Sequence, residues 1–246
     1  MLTVDFSKLD LRPGDRVLDA GCGSGRHLSE AFRHKGVHVV GIDLCEKDVA
    51  TAKDTLYVMN HEGEDGGGDC LVMSSDITKL PFHDESFDCV VCSEVLEHIP
   101  EHGKAMQEII RVLKSGKSLA VSVPRYLPER ICWALSEDYH TEQGGHVRIY
   151  RKKELVRLLE SSGAHCVSSG FAHALHSPYW WLKCMVGHKN DASWMVKLYH
   201  RFLVWDIMKK PLLTRMLDKL LNPLIAKSIV LYLKKGNHYG TQDIPT

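Results

Sequence analysis

The segment Val17-Leu-Asp-Ala-Gly-Cys-Gly-Ser-Gly25 limits what this chain can fold into more than any other stretch. A short apolar run, Arg16–Ala20, ends in glycines at 21, 23 and 25. The run reads as a strand, and the glycines let the backbone turn sharply and let a ligand approach the main chain. Helical character then runs from His27 to Lys35 and stops at Gly36. Further apolar runs follow at Val37–Ile42, Cys70–Met73, Phe87–Cys92, Ser118–Val123, Cys166–Phe171 and Ser228–Lys234. Between them lie helical patterns at Glu46–Asn60, at Gly103–Leu113 with Met106, Ile109, Ile110 and Leu113 on one face, and at Lys153–Ser161. Strands alternating with helices predict an α/β, doubly wound, mostly parallel sheet. The 246 residues suit one such domain over 1–246.

The glycine spacing is G-x-G-x-G rather than the dinucleotide pattern G-x-G-x-x-G. Asp19 precedes the loop, where a carboxylate repels a pyrophosphate and attracts a cationic amine. Asp43 ends the second strand, placed to accept both hydroxyls of a ribose. Asp76 follows the third and can accept the exocyclic amine of an adenine, while Ile77 offers an N–H and an apolar surface. Amine, ribose and adenine together describe S-adenosylmethionine (SAM).

On these residues the chain resembles the class I SAM-dependent methyltransferases, in particular the small-molecule group that includes ubiquinone and menaquinone biosynthesis enzymes. The resemblance rests on Val17–Gly25, Gly41–Lys53, Ser74–Ile99 and Arg111–Pro124, and more loosely on His146–Gly163. It implies seven strands in the order 3-2-1-4-5-7-6, the last antiparallel. It also implies a cofactor site built from Asp19, Gly21, Cys22, Gly23, Gly25, Asp43, Leu44, Asp76, Ile77, Ser93 and Glu94. Arg26, which opens the next helix, is either near the SAM carboxylate or a solvated first-turn residue.

Methyl transfer from a sulfonium is an in-line displacement in which the protein mainly aligns donor and acceptor. A base is needed only where the acceptor must lose a proton. In the resembling family the acceptor approaches the end of strand 4, here Ser93-Glu-Val-Leu-Glu-His98. The Asn/Asp-Pro-Pro-Tyr/Phe stretch common in amine methylases is absent there, which argues against methylation of nucleobase amines. The candidate catalytic residues are His146, His98 and Tyr150, with Glu97 and His140 as lesser ones. Each has a structural alternative: His146 pinning its loop, Glu97-His98 capping and packing. Cys89 and Cys92, three apart in a strand, face opposite sides and so cannot easily share a metal; no metal is expected.

About 56 residues separate strands six and seven, and they include an insertion over 176–227. It is rich in aromatics and carries nine basic against three acidic residues, so its net charge is +6 while the whole chain sums to zero. Apolar positions recur at helical spacing from Met195 to Leu224, with breaks expected near Pro211 and Pro223. Three roles stay open: a helical lid whose Tyr179, Trp180, Trp181 and Trp205 wall the acceptor pocket, peripheral membrane contact, or a nucleic-acid groove. The first two are compatible and favour a lipophilic acceptor.

The expected function is methyl transfer to a small, hydrophobic molecule, at oxygen in preference to carbon. The alternatives are RNA methylation and a SAM-binding partner protein without activity. The N-terminus shows no basic, then apolar, leader, and no run has the composition of a membrane span. The eight cysteines show no framework spacing and fit reduced thiols, so the expected location is cytoplasmic, with membrane association through 176–227. His27, His34, His61 and His83 read as surface or boundary residues.

Overall fold

The computed structural model describes residues 2–141, 144–187, 190 and 193–236. Its strands are β1 (Arg16–Ala20), β2 (His38–Asp43), β3 (Cys70–Ser74), β4 (Phe87–Ser93), β5 (Leu113–Pro124), β6 (Ala164–Ala172) and β7 (Ser228–Lys235). They form one sheet in the order β3-β2-β1-β4-β5-β7-β6, with β7 antiparallel to both its neighbours and the other pairs parallel. This is the order that the resemblance implied.

Parallel strands covered by helices on both faces must be apolar on both faces, and every residue of β4 is buried. One face packs Leu18, Val90 and Leu119 against α3 (His102–Val112) and α6 (Lys152–Ser161). The other packs Val17, Val39 and Val91 against α1 (Arg26–Phe32) and α2 (Glu46–Glu62). Cys92 belongs to the first of these cores and Cys89 to the second, so the two thiols do point to opposite sides.

Two local expectations shift. Leu113 starts β5 instead of ending α3, because it turns extended and pairs with Phe87. His27 is buried rather than peripheral: its Nε2 accepts from the Thr3 and Val4 N–H groups at 3.1 and 3.3 Å. Burial pushes its pKa down to about 3, which keeps the ring neutral and able to accept.

Two helices that the apolar pattern does not announce follow β5: α4 (Tyr126–Leu135) and the single turn α5 (Glu137–Thr141). The insertion forms α7 (His176–Val186), α8 (Trp194–Lys209) and α9 (Leu212–Ile225). Pro211 separates α8 from α9 as expected, but Pro223 lies in the last turn of α9 and does not end it. α7 packs on α4 and α9 packs on β6. Lys189 and Asp191, counted above in the insertion's charge, lie outside the described residues.

Candidate active site

The C-terminal ends of β1, β2 and β4 open on a cavity of about 530 Å³, a volume in the range of small-molecule sites. Gly21 to Ser24 form its floor, Asp43, Leu44 and Ile77 one side, and Ser93, Glu94, Val95 and His98 the other. Gly21 has φ +81°, and a Cβ there would sit 2.4 Å from Val95 Cγ2, so no other residue fits without displacing the opposite wall. Gly25, at φ +88°, meets Ala52 in the same way at 3.0 Å, which lets α1 and α2 close on the loop. Asp43 ties the loop to β2: its Oδ2 accepts from the Gly23 N–H at 2.8 Å and its Oδ1 from the Cys45 N–H at 2.9 Å. A carboxylate has about four acceptor sites, so both oxygens can still take a ligand hydroxyl.

Asp19 lies behind the loop rather than in the cavity lining. It is buried, and neither carboxylate oxygen has a hydrogen-bond partner. Burial pushes its pKa up to about 7, with the nearby Leu28 backbone and the charge of Arg26 pulling it partly back. An orphaned buried carboxylate beside a ligand cavity fits a cationic amine. Asp76 is exposed and does not line the cavity, whereas Ile77 does. Both Thr78 donors, N–H and Oγ, go to Asp76 Oδ1 at 2.8 Å and shape the turn that presents Ile77. These residues fit SAM at its ammonium, ribose and adenine ends.

Past β4 the chain bends sharply. Glu94 has φ +57°, a strained value for a residue with a side chain, and such strain concentrates at functional sites. Its conformation is held by the Glu94 N–H donating to the Ser122 carbonyl at 2.9 Å and by Ser122 Oγ donating to Glu94 Oε1 at 2.9 Å. Ser93 Oγ is 2.8 Å from the same Ser122 Oγ. Glu97 is fully buried with both oxygens unpartnered, and burial, then repulsion from Glu94, raises its pKa well above the usual carboxylate value.

The candidate histidines converge. His98 lines the cavity, and its Nδ1 lies 2.9 and 3.2 Å from the Gly144 and Gly145 carbonyls. Carbonyls only accept, so Nδ1 carries the proton and Nε2 keeps its lone pair. Burial, then the charge of His146, pushes the His98 pKa down, which favours this neutral form. The His146 ring meets His98 edge-on at 4.8 Å between centroids, so it backs His98 rather than lining the cavity. Tyr150 is displaced from its expected role. It is packed in the core, its hydroxyl 2.6 Å from His102 Nδ1, because its ring fills the space under the 94–100 turn. The side chain of His140 lies outside the described residues.

Sequence reasoning missed Glu129. It is buried on α4, and its Oε1 accepts from His146 Nδ1 at 2.5 Å and from Trp133 Nε1 at 3.2 Å. Burial pushes its carboxyl up, yet the hydrogen bond and charge of His146 win and hold it below its usual value. Its sequence signal was weak: one acid inside an apolar segment, Tyr126–Leu135. Arg148 was missed too; its guanidinium donates to the Leu96, Ile99 and Pro100 carbonyls and locks the two loops together. From the insertion, Trp181 Nε1 donates to the Pro128 carbonyl at 3.1 Å and Trp180 packs on Tyr139, which packs on His146. Among the described residues of 176–227, none lines the cofactor cavity itself. Glu97, His98 and His146 place ligand-type atoms within 4.8 Å of one another, close enough to share one cation, where the sequence reading weighed a metal only at cysteines.

Residues 18–121 match the family model described as a methyltransferase domain. The chain is 37% identical over 124 residues to the ubiquinone biosynthesis O-methyltransferase of Hahella chejuensis (strain KCTC 2396), covering 50% of this chain and 49% of that protein. It is 31% identical over 148 residues to cycloartenol-C-24-methyltransferase 1 of Oryza sativa subsp. japonica, covering 60% of this chain and 39% of that protein. The chain therefore spans about half or less of these relatives' length. Among solved structures, phosphoethanolamine N-methyltransferase 2 of Haemonchus contortus in complex with S-adenosyl-L-methionine superposes with a TM-score of 0.61 at 18% identity, over 94% of this chain and 51% of that one. The cyclase SpnF superposes equally well, with a TM-score of 0.61 at 21% identity, over 94% of this chain and 79% of that one. At these identities the likeness shows the fold, which hosts more than one chemistry.

Proposed function

We propose that this chain, whose residues 18–121 match the methyltransferase domain model, is a class I SAM-dependent methyltransferase that transfers a methyl group from SAM to an oxygen of a small lipophilic molecule. The observation that carries the oxygen assignment is His98: a neutral imidazole in the cavity wall, its Nδ1–H fixed on two carbonyls and its Nε2 free to take a proton. Bound SAM supplies a methyl group already activated on a sulfonium. Asp43 holds the ribose, Asp19 the ammonium, and Leu44 and Ile77 flank the adenine. His98 would take the acceptor's hydroxyl proton at Nε2, leaving that oxygen to accept the methyl group that bound SAM would supply, with the carbon–sulfur electron pair remaining on sulfur. Glu129 holds His146, and His146 holds the His98 ring.

The lipophilic acceptor is supported by two relatives whose names specify ubiquinone biosynthesis and cycloartenol. Turnover of a phenol or other lipophilic alcohol with radiolabelled SAM tests the reading. SAM binding without turnover on any acceptor would favour a SAM-binding partner protein. Methylation of RNA, with a binding constant falling steeply with salt, would favour the nucleic-acid reading.

Two binding predictions follow from the cavity. Asp43→Ala removes the ribose acceptor and releases the loop N–H groups of Gly23 and Cys45. It should weaken SAM binding by about 1.5–3 kcal/mol, and an unchanged Kd by calorimetry would refute the ribose role. We assign Asp76 Oδ2, the oxygen that Thr78 leaves, to the adenine amine. Asp76→Ala should then cost more affinity for SAM than for an analogue lacking that amine; equal losses would leave Asp76 only its turn.

A further inference from the structure

The insertion contains a helix turned inside out. In a helix packed on a globular core the apolar stripe faces inward. In α9 the residues directed inward are polar: Thr214 is buried, and Asp218 Oδ1 accepts from the Leu175 N–H at 3.1 Å. Asn222 Oδ1 accepts from the Ala174 N–H at 3.1 Å. Most of the leucines point away, Leu221 being half-buried. Leu212 and Leu213 are each 77% exposed, and Met216, Leu220 and Leu224 continue the same stripe at 69%, 72% and 64%. Trp194, Leu198, Trp205 and Met208 of α8, spaced by four, seven and three residues and so on one helical face, are exposed as well. Exposed apolar helix faces of this kind mark an interaction site.

Charge selects the occupant. All six basic residues of the two helices and their junction, Lys197, Arg201, Lys209, Lys210, Arg215 and Lys219, are exposed. Both acids, Asp206 and Asp218, are half-buried and line the cavity beneath the helices, which the exposed Lys210, Leu212, Arg215, Met216 and Lys219 also border. The outward face thus presents leucine, methionine and tryptophan within a rim of one sign. Two copies of such a face repel each other, since like charges would be brought together. An anionic lipid surface complements it, with apolar residues entering the acyl boundary, tryptophans at the headgroup level and cations against phosphate. Among the described residues no helix is long and apolar enough to cross a membrane, so the geometry is that of a helix pair lying on one leaflet.

We propose that the exposed face of α8 and α9 docks the protein on an anionic phospholipid bilayer. The surface is separate from the cofactor cavity, which no residue of these helices lines. α7, in the same insertion, reaches the His146 side of the site through Trp180 and Tyr139. Docking therefore holds the acceptor side of the site close to a bilayer, where a lipophilic acceptor would be dissolved.

The test is co-sedimentation of the full chain with vesicles of phosphatidylcholine alone or mixed with phosphatidylglycerol. Binding is expected to the mixed vesicles, weakly to phosphatidylcholine, and to fall as salt rises. Replacing Lys209, Lys210, Arg215 and Lys219 by Gln should lower partitioning about fivefold per cation removed. Leu213→Asp with Leu220→Asp should abolish it. Calorimetric SAM binding, unchanged in both variants, shows that they are folded. Because vesicle binding is read without turnover, its failure and failure of the methyl-transfer reading are distinguishable. No binding to mixed vesicles, equal binding to both lipids, or a stable dimer that the Leu213→Asp and Leu220→Asp changes dissociate would overturn the proposal.

Discussion

With His98 replaced by Ala, kcat on an oxygen acceptor is expected to fall roughly 100- to 10,000-fold, the range for a positioned general base. SAM affinity should change little by comparison, because His98 forms only one part of the cavity wall and the ribose and amine partners lie elsewhere. Glu129→Gln provides the companion measurement. The glutamine keeps the shape but loses the negative charge that faces His146 at 2.5 Å. A charge-assisted hydrogen bond is roughly twice as strong as a neutral one, so His146 loses its anchor and His98 its backing. The expected result is a smaller fall in kcat with KM for SAM unchanged, partly restored in Glu129→Asp. Full activity of the His98→Ala protein would sink the base assignment and move the chemistry to an acceptor that needs no deprotonation.

Asp19 should make both stability and cofactor affinity depend on pH. Its folded-state pKa is about 7 against an ordinary 3.8, with burial as the main cause. The folded protein therefore holds a proton that the unfolded chain has already lost between those values. Stability from this group is complete below about pH 4 and is lost as pH rises towards about 7. The three-unit difference corresponds to about 4 kcal/mol at most. Asp19→Asn, which cannot ionise, should gain stability over the wild type on going from pH 5 to pH 8, read by denaturant melts without cofactor. SAM should reverse the balance, because its ammonium pairs with the ionised carboxylate. Wild-type affinity is expected to rise from pH 6 to pH 8, and the Asn variant should bind weakly with a flat profile. Parallel melts and equal affinities would show that Asp19 is not the amine partner.

Much of this molecule is written locally. The strands of the sheet, the glycine loop and the carboxylate ending β2 are each decided by a few neighbouring residues. Apolar runs must be buried on both faces of a parallel sheet, and Gly21 is the only residue type that tolerates both φ +81° and the Val95 side chain. The place of His98 in the cavity wall was also legible, because it lies a few residues beyond β4, in the stretch that the resemblance already placed at the acceptor. Tyr150 was not, since its position in the loop said nothing of whether its ring would turn to the cavity or to the core.

Only the tertiary structure brought Glu129 to His146. Seventeen residues separate them, and they meet because α4 folds back over the 144–150 loop with α7 behind it. A lone acid in an apolar helix has no periodic signal that names its partner; its burial becomes tolerable only once a distant histidine neutralises it. The orientation of α9 has the same origin. Spacing determined that its leucines share a face, and it could not determine which way that face points. Asp218 and Asn222 found two backbone N–H groups to accept from beneath the helix. An unmet buried N–H costs more than an exposed leucine, so the polar edge went inward and the apolar face was left to the outside.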